Sequence, residues 1–126
     1  QEKFLPTIIL NALQNKPIPI YGEGKQIREW INVRDTCKAI LKIMEKGNIG
    51  EIYNVGSGRE LTNLNFVRLV LKLMNKPDSL ISFVLDRKGH DFRYKMDFNK
   101  VMNLGWRPEI ELAEGIPEVV KFYSHK

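Results

Sequence analysis

Apolar residues at Leu5, Ile8, Ile9, Ala12 and Leu13 recur at helical spacing and predict a first helix. Lys16-Pro17 ends it, because a residue before proline avoids the helical region. Ile18–Tyr21 and Ile27–Val33 read as two short strands around the turn Gly22-Glu23-Gly24, which together predict a small hairpin. Cys37, Ile40, Leu41 and Met44 mark the apolar face of a second helix, with Asn32 or Asp35 as its cap and Gly47 as its stop. Glu51–Val55 reads as a strand leading into the turn Gly56-Ser57-Gly58. A third helix, capped by Thr62 or Asn63, carries Phe66, Leu69, Val70 and Leu73 on one face and stops near Lys76-Pro77. Then follow a strand from Ile81 to Leu85, a polar loop from Asp86 to Asp91 and a short strand at Tyr94-Lys95-Met96. Asp97 caps a helix that runs through Leu104, with Gly105 as its C-terminal stop. A last helix lies between Ile110 and Tyr123, its first turns weakened by Gly115 and Pro117. This alternation argues an α/β architecture. No internal repeat or low-complexity stretch divides the chain, which reads as a single unit, residues 1–126, or one part of a domain.

Composition narrows the picture. With 43% hydrophobic and 28% charged residues the 126-residue chain is globular rather than disordered. No apolar run approaches the roughly 18 residues needed to span a bilayer, so no membrane partner is expected. The single Cys37 excludes an internal disulfide and a multi-cysteine zinc site, suits a reducing cytoplasm, and is expected to be a small buried residue of its helix. The chain opens on Gln1 rather than Met, without a signal-like stretch, so the expectation is a cytoplasmic piece of something longer. The net charge of +5 comes from cations scattered along the whole sequence. Trp30, Trp106 and the tyrosines do not cluster with them, so no nucleic-acid face is expected.

Three patterns bear on chemistry. Gly56-Ser57-Gly58-Arg59-Glu60-Leu61 begins like a dinucleotide fingerprint, but Leu61 stands where the third glycine would allow a helix to approach its strand, and a plain turn is the simpler reading. Tyr21 and Lys25 have the spacing of a catalytic Tyr-x-x-x-Lys pair, yet Gly22 and Gly24 deny the helix that would put them on one face. Asp86, His90 and Asp91 suggest a metal or acid–base site, but Arg87, Lys88 and Arg93 among them repel a divalent cation and favour an anion such as a phosphate. The alternative is a solvated charged loop.

Taken together, further strings resemble one family. They are Pro19-Ile20-Tyr21-Gly22-x-Gly24-x-Gln26-Ile27-Arg28-x-Trp30, Tyr53-Asn54-Val55-Gly56, Asp86-Arg87-x-Gly89-His90-Asp91-x-Arg93-Tyr94 and Leu104-Gly105-Trp106-x-Pro108. In this order the chain resembles the C-terminal, substrate-binding portion of extended short-chain dehydrogenase/reductase enzymes that act on nucleotide sugars. Within that family the third string is most similar to the dTDP-glucose 4,6-dehydratases; other nucleotide-sugar epimerases, decarboxylases and dehydratases, or a non-catalytic nucleotide-binding module, are the alternatives.

The resemblance implies a Rossmann-type α/β fold in which short strands and a small hairpin accompany the helices. It implies substrate contacts from Lys3 and Phe4 beside the diphosphate, Pro19, Ile20 and Tyr21 around the base, Arg28 on the phosphate or ribose, Asn54 near the nucleotide, and Asp86, Arg87, Lys88, Gly89 and His90 in a closing loop. Glu2 belongs to the first of these segments. Lys88 stands where the family has proline, Glu29 where it has aspartate, and Phe4 where it has an aliphatic residue. The resemblance further implies NAD as cofactor of the whole enzyme, dTDP-glucose as substrate, loss of water to the 4-keto-6-deoxy sugar used in rhamnose and polysaccharide biosynthesis, and a homodimer. The NAD site and the catalytic residues would lie in an N-terminal part that this sequence does not contain, so the chain alone is expected to be inactive.

Overall fold

The computed structural model describes residues 3–126, so Glu2 lies outside the described residues. Helix α1 spans Phe4–Leu13 and buries Ile8, Ile9 and Ala12. It stops at Leu13, four residues before Pro17: Asn15 turns left-handed at φ 52 and the Lys16 amide donates back to the Asn11 carbonyl at 2.8 Å. Asparagine tolerates this conformation because its short amide bonds locally. Strand β1, Ile18–Tyr21, buries Ile18 and Ile20 and turns Pro19 and Tyr21 outward.

The next strand, β2 (Ile27–Glu29), does not return along β1. It pairs antiparallel with β3, Glu60–Thr62, with Arg28 opposite Leu61. Strand β1 pairs instead in parallel with β4, Ile81–Val84, with Ile18 opposite Ile81. The expected hairpin is therefore absent. Gly22 and Gly24 do make the turn, at φ 59 and 70, but it sends the chain to the start of the third helix. There the Gly24 carbonyl accepts the Leu64 amide at 3.0 Å and the Gln26 carbonyl accepts the Asn63 amide at 2.8 Å. A Cβ on Gly24 would stand 2.8 Å from Ile20 and 2.9 Å from Leu64, so only glycine allows this approach.

Helix α3, Asn63–Leu73, is capped by the Thr62 side chain, which accepts the Asn65 amide. It ends as α1 does, with Asn75 at φ 54 and the Lys76 amide on the Leu71 carbonyl. Each helix thus runs through Asn-Lys-Pro toward a strand, α3 by way of a 3-10 turn at Asp78–Leu80, and the two strands are parallel neighbours. Lys76 Nζ donates to Asn15 Oδ1 at 2.7 Å and ties the two helix ends together. Helix α5, Leu112–Ser124, accommodates Gly115 and Pro117 and closes the main core of α1, α3 and β1 with Ile116. A smaller core joins helix α2, Val33–Lys46, to the short helix α4, Asn99–Met102, through Ala39, Val101 and Trp106.

Around α2 the structure departs from the sequence pattern. Its cap is Asn32, whose Oδ1 accepts the Arg34 amide at 2.9 Å, while Asp35 is buried within the first turn. Cys37, Ile40, Leu41 and Met44 face outward, with Met44 77% exposed; the cysteine is not buried. Glu51–Val55 pairs with no strand among the described residues, and Tyr94–Met96 forms none; beside it, Arg93 makes a single bridge to Ile27. No helix of the described residues is long and apolar enough to cross a membrane.

Candidate functional site

A cleft of about 650 Å³ opens where the start of α1, the outward face of β1, strand β2 and the loop after β4 converge. Lys3, Phe4, Pro19, Ile20, Tyr21, Arg28, Arg87 and His90 line it, as do Thr7, Glu29, Trp30 and Asn63. The period-two alternation of β1 puts Pro19 and Tyr21 into the cleft while Ile18 and Ile20 anchor the strand beneath. One turn of α1 puts Thr7 above Lys3, whose carbonyl accepts the Thr7 hydroxyl at 2.9 Å. The inner wall is aromatic: Trp30 stacks on the buried Phe66 ring at 3.7 Å and 4°, and Phe4 tilts against both.

The outer wall is cationic and braced. Arg87 Cζ lies 6.0 Å from the centre of the Tyr21 ring, and His90 meets the same ring edge-on at 5.9 Å. Arg28 donates to the Asp91 carbonyl at 2.9 Å and to its neighbour Ile27 at 2.8 Å, and its guanidinium lies 4.6 Å from the centre of the Tyr94 ring. It therefore fastens the 86–94 loop to β2 as well as facing the cleft. Tyr94 donates to Asp91, which raises the phenol's pKa, and Arg93 forks onto Glu60 at 2.8 and 2.6 Å. Asp86 does not line the cleft. It is exposed beside the cleft, accepting from Gln26 Nε2 at 2.7 Å and the Arg87 amide at 2.9 Å, with His90 Nδ1 at 2.8 Å.

The hydrogen bond with His90 is the main cause holding the Asp86 carboxyl below the usual carboxylate range, with burial opposing it. The Arg87 amide, the charge of His90 and the Gln26 amide add to the lowering. A carboxylate whose pKa falls on folding stabilises the folded loop above its unfolded pKa, and that contribution disappears as pH drops through the lowered value. The amide resonances of Arg87 and His90 are therefore expected to stay native-like from neutral pH down to about 3.9, the ordinary carboxylate value, and to lose dispersion only below it. A loop that loosened already near pH 6 would contradict this assignment.

The remaining sequence candidates lie elsewhere. Lys88 and Gly89 are exposed, and Gly89, at φ 70, turns the chain back so that His90 reaches the cleft. Asn54 sits apart, in a polar groove with Asp97, Asn99, Lys100 and Asn103, because the 51–55 segment runs beside α4. The asparagine in the cleft wall is Asn63, about nine-tenths buried and with an Oδ1 that meets no donor among the described residues. Its signal was available, since an asparagine that can start a helix directly after a capping threonine can be carried inward by that helix. Trp30, the residue after β2, could have been found by its alternation with Arg28.

The Gly56–Gly58 turn does not fit a dinucleotide. Its Ser57 and Gly58 amides donate to Glu29 Oε1 at 2.7 and 2.5 Å, and the chain continues into β3 instead of a helix N-terminus. A Cβ on Gly56 would lie 2.7 Å from that carboxylate oxygen, so the glycine serves Glu29. Among the described residues no three of His, Cys, Asp and Glu lie together as metal ligands would.

Residues 1–56 match the model of the NAD dependent epimerase/dehydratase family. The chain is 41% identical over 123 residues to a dTDP-glucose 4,6-dehydratase of Actinoplanes sp., covering 97% of this chain and 38% of that protein. The dTDP-glucose 4,6-dehydratase DesIV of Streptomyces venezuelae, solved with NAD bound, superposes with a TM-score of 0.92 at 37% identity, over 98% of this chain and 39% of that one. The chain is thus similar to proteins of the NAD dependent epimerase/dehydratase family. It corresponds to the C-terminal portion and spans about two fifths of the length of these relatives. A more distant member of the family, the UDP-glucose 4-epimerase of Thermotoga maritima solved with UDP-glucose, superposes with a TM-score of 0.90 at 27% identity, over 98% of this chain and 40% of that one. The family fold is thus an α/β Rossmann-type one, and its members with this portion include both dehydratases and epimerases.

Proposed function

We propose that this chain is the nucleotide-sugar-binding portion of a dTDP-glucose 4,6-dehydratase. The observation that carries this reading is the cleft itself: one exposed aromatic ring, Tyr21, beside Pro19, within a wall that gathers Lys3, Arg28, Arg87 and His90. A flat ring suits a nucleobase, and converging cations suit a diphosphate. In this reading Tyr21 and Pro19 face thymine, Arg28 and Arg87 face the phosphates, and Lys3, Phe4 and Asn63 line the remaining wall. Relatives at 41% and 42% identity that are named dTDP-glucose 4,6-dehydratases support dTDP over UDP.

NAD would supply the hydride chemistry, oxidising the sugar at C4 and later reducing C6, from a part of the enzyme outside this chain. No step of that chemistry runs through the Gly56–Gly58 turn, whose amides are already taken. The residues here bind and orient the nucleotide. This reading also accounts for the apolar face of α2 and for Ile49 and Ile52, exposed by 105% and 80%. A NAD-binding part would cover that face and pair with the unpartnered 51–55 segment, whose Ile52, Tyr53 and Val55 suit a strand. The whole enzyme is proposed to be a cytoplasmic homodimer of deoxysugar biosynthesis, in keeping with a single unpaired thiol.

Calorimetric titration tests the reading. The chain is expected to bind dTDP more tightly than UDP and to form no 4-keto-6-deoxy product from dTDP-glucose and NAD alone. Joined to the NAD-binding portion of a relative such as DesIV, it is expected to yield that product. Equal or stronger binding of UDP would favour an epimerase, and binding of neither nucleotide would overturn the reading.

A further inference from the structure

One carboxylate, Asp86, contacts the backbone and ring of the cationic wall from outside the cleft, with its side chain 41% exposed. Asp86 Oδ1 accepts the Arg87 amide at 2.9 Å and lies 2.8 Å from His90 Nδ1, while its Oδ2 accepts from Gln26 Nε2 at 2.7 Å. The His90 amide reaches the Arg87 carbonyl at 3.3 Å and closes the turn. Gly22, left-handed at φ 59, brings the end of β1 so near that a Cβ there would lie 3.3 Å from Asp86 Oδ2. Gln26 is 8% exposed, and the His90 side chain only 6%. Arg87 and His90 line the cleft and Asp86 does not.

We propose that Asp86, backed by the buried Gln26, is the positioning residue that sets how tightly the cleft grips the diphosphate of its nucleotide, by holding Arg87 and His90 as a fixed pair beside the Tyr21 ring. The proposal rests on the nucleotide-binding reading of the cleft. An unbraced carboxylate next to an anion site would repel the ligand. Here the Arg87 amide, the Gln26 amide and His90 all face Asp86, so its charge is engaged before a phosphate arrives. A carboxylate at Nδ1 also fixes which ring nitrogen carries the proton and leaves Nε2 as the ring's other polar atom. The His90 ring and the Arg87 backbone need no ordering when the ligand binds, and a contact that is already ordered loses less affinity to entropy than a mobile one.

Calorimetric titrations with thymidine, dTDP and inorganic pyrophosphate separate grip on the diphosphate from binding of the base. Asp86→Ala is expected to weaken dTDP and pyrophosphate about tenfold or more, with thymidine changed less than about twofold. Asp86→Asn keeps an oxygen for the Arg87 amide and His90, and the Gln26 amide can turn its unpartnered Oε1 to the new NH₂. It is therefore expected to retain dTDP affinity within about threefold. Gln26→Leu is expected to fall between the two, with the circular dichroism spectrum of the wild type. In ¹⁵N spectra at alkaline pH, His90 is expected to carry its proton on Nδ1 in the wild type and to lose that preference in Asp86→Ala.

A merely structural role would lower the melting temperature without changing the ratio of dTDP to thymidine affinity. An unchanged ratio in Asp86→Ala overturns the proposal, and so does an unchanged His90 tautomer. If dTDP binds the wild type no better than pyrophosphate, the nucleotide reading fails. The positioning role then stands or falls on whether pyrophosphate affinity drops in Asp86→Ala.

Discussion

Phe66→Ala is expected to lower the unfolding free energy by about 3–5 kcal/mol, the range for truncating a buried aromatic ring. Phe66 is fully buried on α3 at the centre of the main core. Its ring is the platform on which Trp30 stacks at 3.7 Å and against which Phe4 tilts at 6.0 Å. Truncation removes apolar contact and leaves a void beneath both rings, which the surrounding helices can fill only in part. Because Phe4 and Trp30 also line the cleft, nucleotide binding is expected to weaken together with stability. Urea denaturation followed by Trp fluorescence reads the first effect and calorimetry the second. Phe66→Leu keeps most of the volume and should lose far less. A loss under about 1 kcal/mol for the alanine variant would mean that the stack is not part of the stable core.

Asp35→Ala carries the second large effect, about 2–4 kcal/mol, because it strands donors instead of opening a void. Asp35 is fully buried in the first turn of α2. Its Oδ2 accepts the Glu109 and Ile110 amides at 3.1 and 2.9 Å, and its carbonyl accepts Trp106 Nε1 at 3.0 Å. The side chain thus pins the segment entering α5 to the start of α2. Alanine leaves two amides without an acceptor in a part-buried setting and removes a negative charge from a helix N-terminus. Asp35→Asn retains an acceptor oxygen and is expected to lose less than half as much in the same denaturation experiment. Equal losses for the two variants would place the effect in the charge and not in the hydrogen bonds.

Features whose cause lies within a few residues were legible along the chain. The helical spacing from Leu5 to Leu13 appears as read, and of the two caps read for α3, Thr62 and Asn63, it is Thr62 that caps. Gly105, at φ 98, follows α4 closely, and α5 forms despite Pro117. The charged loop after β4 brings Arg87 and His90 to the cleft. Asp35 shows the limit of such reading. Asn32 and Asp35 were equal candidates to cap α2, and only the approach of residues 109 and 110 determines that one caps and the other is buried.

The sequence by itself determined which stretches are helical, where the turns fall and which side chains offer charge to an anion. Those properties follow from local backbone sterics, capping and side-chain type. Only the tertiary structure decided partners and faces. Strand β1 chose β4, far along the chain, over the nearby β2, because the Gly22–Gly24 turn is drawn into the start of α3. The apolar stripe of α2 lies outside the core of this chain because periodicity records that a face is to be covered, not what covers it. Asn63 rather than Asn54 reached the cleft for the same reason: α3 carries one inward, and the unpaired segment beside α4 holds the other away.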